Sequence, residues 1–493
     1  MSMDALLVVS PLIIAAITGT AVMLGGAFGA RLGALHRVAV LGIGAALASI
    51  VAVRPLAPTD VTPLLRVDSY AILFLTLLFS ATGILAIFSR PYLQARSCSG
   101  EAYYSLLLFA TVGMGILACS THFASFFLGL ETLSVSLYVL LGYLREDRPS
   151  VESAAKYLIL AAMASGLLLF GIALLYAATG TLLFSAVAAA TRALLDGPGT
   201  PEAVWAMAGG LLVLSGFAFK LALVPFHMWS PDVYQGAPAP VTALIATGSK
   251  GAVIAVLLRI LSADQGGEAA LAPVLATLAV VTMFGGNLLA LLQTDIKRLL
   301  AYSSVAHIGY VFVALSAGGA AGSGAVVFYM ITYVATTLGA FGVVAVLSSS
   351  GDAEADDLAG YRGLGRRRPA LAAALAVMLL SLAGVPPTGG FLAKFAVLSA
   401  AVGAGRSDLA LALVGASAIG VFYYLRVLVV MYMDTEVAPD AAGVDAFESR
   451  TSPSVFGAGV ALAALVLVVL AIGVYPDPWL RAVGTAIASV LGG

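Results

Sequence analysis

The chain is poor in almost everything that soluble or redox-active proteins rely on. Its 493 residues include two cysteines, four histidines and five lysines, and only 10% of the residues are charged. Two cysteines cannot hold an iron–sulfur cluster, which takes four protein ligands. In the membrane topology set out below, Cys98 and Cys119 fall on opposite faces, which excludes a disulfide between them. The formal net charge of −1 leaves no basic footprint for nucleic acid. The sequence has no glycine-rich phosphate loop, dinucleotide fingerprint or metal-ligand cluster. No cofactor is therefore expected in this chain.

What is abundant is hydrocarbon: 61% of the residues are hydrophobic, and the mean hydropathy is +1.05. Both values lie outside the range of soluble domains. They predict an all-α polytopic membrane protein of about fourteen transmembrane helices, each roughly 20 apolar residues long. The first stretch, Ala5 to Gly29, is too long for a signal-peptide core and has no basic head, so it reads as a retained span. Later ones include 122–144, 153–178, 204–226, 240–262, 296–317 and 369–404, ending with 454–475. Arginine sets the orientation. The loops holding Arg145 and Arg148, Arg298, and Arg362 with Arg366, Arg367 and Arg368 belong inside. Those with only Arg54, Arg66, Arg192, Arg259 or Arg406 belong outside, which places both termini outside. A short amphipathic helix is expected along the outer surface at 181–195, and polar connectors at 352–357 and 434–451.

Two spans are interrupted. The seventh contains Leu221-Ala222-Leu223-Val224-Pro225, and the twelfth contains Leu382-Ala383-Gly384-Val385-Pro386 followed by Pro387. The L-A-x-V-P string recurs five helices apart, and an odd separation makes two such units inverted. Inverted repeats with broken helices at matching positions are a common architecture of ion-translocating proteins. The expected organisation is three N-terminal helices (1–100), a first five-helix repeat (101–265), a second, inverted one (266–434), and a linker, last span and tail (435–493). Pro225, Pro386 and Pro387 mark the breaks.

Every lysine lies in or against an apolar segment, whereas the loops use arginine. A lysine can surrender its proton when desolvated, and arginine effectively cannot. Lys220, beside the first break, and Lys250, about ten residues into its helix, sit too deep to snorkel. Lys394 follows the second break, where freed backbone groups imply a hydrated cavity. Glu131 is the one acidic residue expected in mid-span, where a carboxylate costs about 2.5–3.5 kcal/mol and needs a partner. His307, inside the tenth span, can be a satisfied core residue or a relay between Lys250 and Lys394. Lys156 is near enough to its helix start to snorkel and is an auxiliary candidate. Lys297, with Asp295 and Arg298, reads as a surface or inter-subunit ion pair. The alternative for the whole set is a scaffold whose charges only hold helices together.

The strings FKLALVPFHMWSPDVYQGAPAPVTALIATGSKGA (219–252), LLQTDIKRLLAYSSVAHIGY (291–310) and YRGLGRRRPALAAALAVMLLSLAGVPPTGGFLAKF (361–395) are similar to the antiporter-like membrane subunits of respiratory complex I, the proton-pumping NADH:quinone oxidoreductase. The resemblance runs from the fourth span onward. Members with a long lateral helix after the last spans are excluded, because only 476–493 remains. Lys394 fits the branch with lysine rather than glutamate in the broken twelfth helix. The resemblance implies proton translocation through Glu131, Lys220, Lys250, His307 and Lys394, with Glu131 as direct partner of Lys220. It further implies M-like and K-like membrane neighbours, flavin, iron–sulfur clusters and quinone in partner subunits, and a bacterial inner membrane. Cation/proton antiporter subunits of Mrp or membrane-hydrogenase complexes share these features and are the alternative. The acidic loop 352–357 is not accounted for by the resemblance.

Overall fold

A computed structural model describes residues 3–197, 199–263, 268–350, 354–433 and 453–491. The linker expected at 434–451 lies outside the described residues. Thirteen of the described helices are long and apolar enough to cross a membrane. A fourteenth crossing is assembled from two shorter ones, Pro369–Ala383 and Gly389–Gly403, in agreement with the expected fourteen. In chain order, the fourth to eleventh spans are Glu101–Cys119, Phe123–Leu141, Arg148–Thr179, Pro201–Leu221, Ala239–Ala263, Glu268–Leu291, Ile296–Ala317 and Gly319–Leu347. The broken pair is the twelfth, Ser407–Tyr432 the thirteenth and Pro453–Val474 the fourteenth.

The eighth, tenth and eleventh spans form the centre of the molecule. A helix that is apolar on every side has to be surrounded by others, and these three are buried along nearly their whole length. Outer spans approach closely through small residues, as bilayer helices do. Gly171 and Gly209 face each other across the sixth and seventh spans, so a Cβ on either would lie 2.8 Å from the other's carbonyl oxygen.

Both broken spans stop in the same way. The seventh ends at Leu221 with Ala222 left-handed (φ +58°), and the first half of the twelfth ends at Ala383 with Gly384 left-handed (φ +85°). In each, the next N–H reaches back five residues, from Leu223 to Ala218 O (2.8 Å) and from Val385 to Leu380 O (3.0 Å). This is the hydrogen-bond pattern that closes many helix C-termini. An alanine in this conformation is disfavoured by about 1–2 kcal/mol, while glycine is not. The two caps are displaced by one residue within the shared L-A-x-V-P string, so the string overlays the two helix ends one residue out of register. The helix of the seventh span thus stops short of its expected end at 226. After a non-helical passage it resumes as a half-helix, Trp229–Gly236.

Three other elements differ from expectation or refine it. Residues Thr59–Thr62 and Leu65–Val67 pair as an antiparallel hairpin. The tail is a helix, Asp477–Leu491, that buries Val483, Ala486 and Ile487 on one face. It docks on the third span, Ser69–Ala95, where Ser489 Oγ accepts the Tyr70 N–H at 3.1 Å. The expected surface helix runs over Phe184–Asp196 and buries only Phe184 and Val187.

Arg259, read from the sequence as an outer-loop residue, lies instead within the last turns of the eighth span. Its guanidinium is buried and forked onto Asp68 at 2.8 and 2.9 Å, with a further bond to Ala118 O at 3.2 Å. The pair borders a cavity of about 580 Å³ that Asp60, Arg66 and Ser262 also line. Breaking a buried pair by removing one partner strands the other charge, which costs about 3–5 kcal/mol. Asp68→Ala should therefore sharply lower the thermal stability of the solubilised protein. Asp60→Ala, which removes the exposed partner of Arg66, should change it by no more than about 1 kcal/mol.

Candidate functional site

The eighth span is not a regular α-helix. Residues Ile245–Ser249 form a π-helical turn immediately before Lys250, and such turns are rare and concentrate at functional sites. Lys250 is completely buried. Its Nζ donates to Ser304 Oγ of the tenth span at 2.6 Å. Ser304 Oγ also bonds the Tyr333 hydroxyl of the eleventh span at 2.6 Å, and Tyr333 donates in turn to Ala246 O, inside the π turn, at 3.0 Å. The widened turn thus closes a ring of hydrogen bonds around the lysine.

His307 lies between Lys250 and Lys394 and feels the charge of both. Its Nδ1 meets the Tyr329 hydroxyl at 2.7 Å and its Nε2 the Tyr424 hydroxyl at 3.2 Å. Its ring centre lies 5.6 Å from that of Tyr333, tilted by 36°, and 5.4 Å from that of Tyr310 in an edge-on contact. Lys394 Nζ stands 5.1 Å from the centre of that same Tyr310 ring. It donates to Ser417 Oγ at 2.8 Å and to Ala383 O at 3.0 Å. The last contact caps the first half of the broken twelfth span. A cation at a helix C-terminus is favoured by the peptide dipoles, so the break supplies both room and an acceptor for the lysine. Gly384 permits this approach, since a Cβ there would lie 2.9 Å from Lys394 Cδ.

Lys220 is buried in the last turn of the seventh span, its Nζ bonded to Ser134 Oγ at 2.8 Å and 5.5 Å from the centre of the Tyr157 ring. Glu131 sits in the middle of the fifth span, as expected. The direct contact with Lys220 is not made: Ser134, on the next turn, takes the lysine, while Glu131 Oε1 accepts from Ser165 at 2.7 Å. Glu131 remains an electrostatic neighbour of Lys220. It is half-buried on a helix face that exposes Leu128 and Val135.

Lys156 is substantially exposed and ion-paired to Glu152 (2.7 Å) and Asp232 (3.0 Å), the latter also holding Arg298 at 2.8 Å. Lys297 departs from its surface reading. It is completely buried, with Nζ bonded to Ala237 O at 2.8 Å and to Glu354 at 3.2 Å. Glu354 also takes Arg96 at 3.2 Å and the Tyr92 hydroxyl. The acidic loop that had no assignment thus provides the counter-charge for two buried cations.

Sequence reasoning did not single out the tyrosines or Asn287. Asn287, fully buried in the ninth span, donates to the Tyr310 hydroxyl at 2.8 Å and accepts from Tyr423 at 3.0 Å. The available signal was an amide in an otherwise apolar stretch, which a membrane interior tolerates only when it is bonded. From Lys250 hydrogen bonds run through Ser304 to Tyr333, and ring contacts continue from Tyr333 to His307 and Tyr310, beside which Lys394 stands. Such an interior can hold and pass protons, and among the described residues no group of acidic, histidine or cysteine side chains could hold a metal.

Residues 120–420 match the family described as NADH:quinone oxidoreductase/Mrp antiporter, transmembrane. The chain is 44% identical over 483 residues to NADH-quinone oxidoreductase subunit N of Chromohalobacter salexigens, covering 97% of this chain and 99% of that one. It superposes on a chain of respiratory complex I from Thermus thermophilus with a TM-score of 0.79 at 33% identity, covering 96% and 99% of the two chains. It also superposes on a chain of the Mrp complex of a Dietzia species, with a TM-score of 0.83 at 22% identity over 100% and 98%, a likeness of fold. The chain belongs to the NADH:quinone oxidoreductase/Mrp antiporter membrane family. Within it, the relative that is 44% identical over 97% of this chain is a subunit N.

Proposed function

We propose that this chain is the N-type proton-translocating subunit of a bacterial NADH:quinone oxidoreductase, set in the inner membrane beside M-like and K-like subunits. The observation that carries the reading is the buried run of polar and aromatic groups from Lys250 through His307 to Lys394, joined by hydrogen bonds as far as Tyr333 and by ring contacts beyond it. Intramembrane charges with this much organised polar support mark ion pathways. Protons enter around Lys220 and Lys250, pass along the midplane and leave near Lys394. The energy comes from quinone reduction in partner subunits that hold the flavin, iron–sulfur clusters and quinone, and this chain does no redox chemistry itself. It reaches Glu131, whose outward, apolar-flanked face is where a neighbouring membrane subunit would pack.

The test is Lys250→Ala in assembled complex reconstituted into vesicles. Proton pumping should fall about tenfold or more, as loss of a positioned proton carrier costs, and no sodium should accumulate in any variant. Undiminished pumping overturns the reading, and quinone-driven sodium uptake favours the antiporter alternative.

Both termini face outward in this proposal. Single cysteines placed at Arg148 and Pro478, both exposed, should react with an impermeant thiol reagent from opposite sides of the membrane. Reaction of both from one side rejects the arginine-based topology.

A further inference from the structure

The cavity of about 580 Å³ beside the Asp68–Arg259 pair is lined by none of Glu131, Lys220, Lys250, His307 or Lys394. Four elements meet around it: the hairpin with Asp60 and Arg66, the end of the eighth span with Arg259 and Ser262, the start of the surface helix with Ser185, and the tail helix with Ser489. Asp68 is fully engaged, its two oxygens taking Arg259 and the Ala71 N–H. The donors are not. Arg259 Nε and Ser262 Oγ, on residues only 7% and 6% exposed, have no hydrogen-bond partner among the described residues. Nor has Arg66 Nε, and the charge contact of that guanidinium is Asp60 at 3.7 Å, whose side chain is 75% exposed. Beside them the surface helix Phe184–Asp196 presents its N-terminus. Its N-cap is Leu183, which has no side-chain acceptor to offer. The Phe184 N–H donates to Thr121 O at 3.0 Å and the Val187 N–H to Leu183 O at 2.9 Å, while those of Ser185 and Ala186 have no partner among the described residues. Buried donors without acceptors are rare, and a helix N-terminus next to guanidinium groups attracts an anion.

Size, charge and position select among anions. A water molecule takes about 30 Å³ of liquid and a phosphate ion only a few times that, so an inorganic anion would leave most of the cavity unfilled. The wall carries both signs, because the Asp60 carboxylate stands beside Arg66. A ligand with a cation next to its phosphate satisfies both. The site also sits where hydrocarbon gives way to water: the third span begins and the eighth ends here, and the surface helix buries only Phe184 and Val187, as helices lying in the headgroup layer do. Leu183 and Phe184 give the cavity an apolar margin. We propose that this cavity binds the headgroup of a zwitterionic phospholipid, with the phosphate held by Arg66, Ser262 and the free N–H groups of Ser185 and Ala186, and the ammonium held by Asp60. One lipid then ties the hairpin and the surface helix to the end of the eighth span. In the proposed orientation it belongs to the outer leaflet.

The test titrates the full-length chain, delipidated in detergent, with dioctanoyl phosphatidylethanolamine and follows binding by native mass spectrometry. Arg66→Ala should weaken the binding by about tenfold or more, as loss of a charge-assisted bond does, and Ser262→Ala by about threefold. Arg54→Ala, which removes an exposed arginine outside the cavity, should change nothing. Arg66 is not part of the buried pair, so Arg66→Ala should melt with the wild type before lipid is added. Asp60→Asn should weaken phosphatidylethanolamine and leave dioctanoyl phosphatidylglycerol, which has no ammonium, unaffected. Hydrogen–deuterium exchange of the wild type needs no variant. The lipid should slow exchange at Ser185 and Ala186 by about tenfold or more, and not at Glu202 in the first turn of the seventh span. Failure of the wild type to bind, equal binding by Arg66→Ala, or no protection of Ser185 and Ala186 overturns the site. If inorganic phosphate displaces the lipid at equal concentration, the cavity takes free phosphate and the lipid assignment fails. If Asp60→Asn binds both lipids as the wild type does, the ammonium is not held there and the zwitterionic assignment fails.

Discussion

Lys394→Ala is expected to abolish most proton pumping by the assembled complex, about tenfold or more, and to slow the quinone reduction coupled to it. The reason lies in what the side chain joins. Lys394 Nζ is the described end of the run from Lys250, next to Tyr310, and it also bonds Ser417 and the carbonyl left free at Ala383. Alanine removes the proton carrier and leaves that carbonyl without its cation. Two further variants separate the roles. Lys394→Arg keeps a cation and its donors but cannot release a proton under working conditions, so it should assemble and fail to pump. Lys394→Glu restores a titratable group without the donors, and should retain part of the activity. If Lys394→Arg pumps normally in vesicles, the lysine serves only to cap the broken helix, and its place in the proton path is lost.

The fold was largely legible because membrane helices announce themselves by length and hydropathy, and the two breaks by proline. What stayed hidden depended on partners distant in sequence. Arg259 looks like a loop arginine until Asp68, 191 residues away, is seen to fork onto it. Lys297 looks like a surface charge until the loop at Glu354 folds over it. The π turn at Ile245–Ser249 leaves no trace in composition, since alanine, threonine, glycine and serine are common in ordinary spans. The tail helix was missed because fifteen residues with mixed polarity fall below the length that marks a span. The lysines and His307 stood out because charge in hydrocarbon is costly. The tyrosines and serines that connect them did not, as hydroxyls carry no comparable penalty once they bond a helix carbonyl.

Glu131→Ala and Lys220→Ala are each expected to remove most pumping, and the double alanine variant should be no worse than either single one. Burial disfavours any ammonium ion, and a nearby carboxylate favours it. In contact at 4 Å and an effective dielectric near 20, the carboxylate would contribute about 4 kcal/mol. Here Ser134 takes the Lys220 ammonium and Ser165 binds Glu131, so the attraction at rest is smaller than that. A smaller resting attraction leaves room for change. A shift of Glu131 toward Lys220 would strengthen the hold on the proton, and a shift toward the neighbouring subunit would release it. Since Glu131 lies half-buried beside the exposed Leu128 and Val135, a partner packed there could move it in either direction. Groups that act as one unit give non-additive losses, which is why the double variant is decisive. Glu131→Asp, with a shorter reach, should be partly active. Ser134→Ala should weaken pumping less than Lys220→Ala, because it removes only the hydroxyl that holds the ammonium and leaves the two charges. The measurement is proton uptake by vesicles carrying each assembled variant. Normal uptake with Glu131→Ala would refute the switch, and additive losses in the double variant would show that Glu131 and Lys220 act separately.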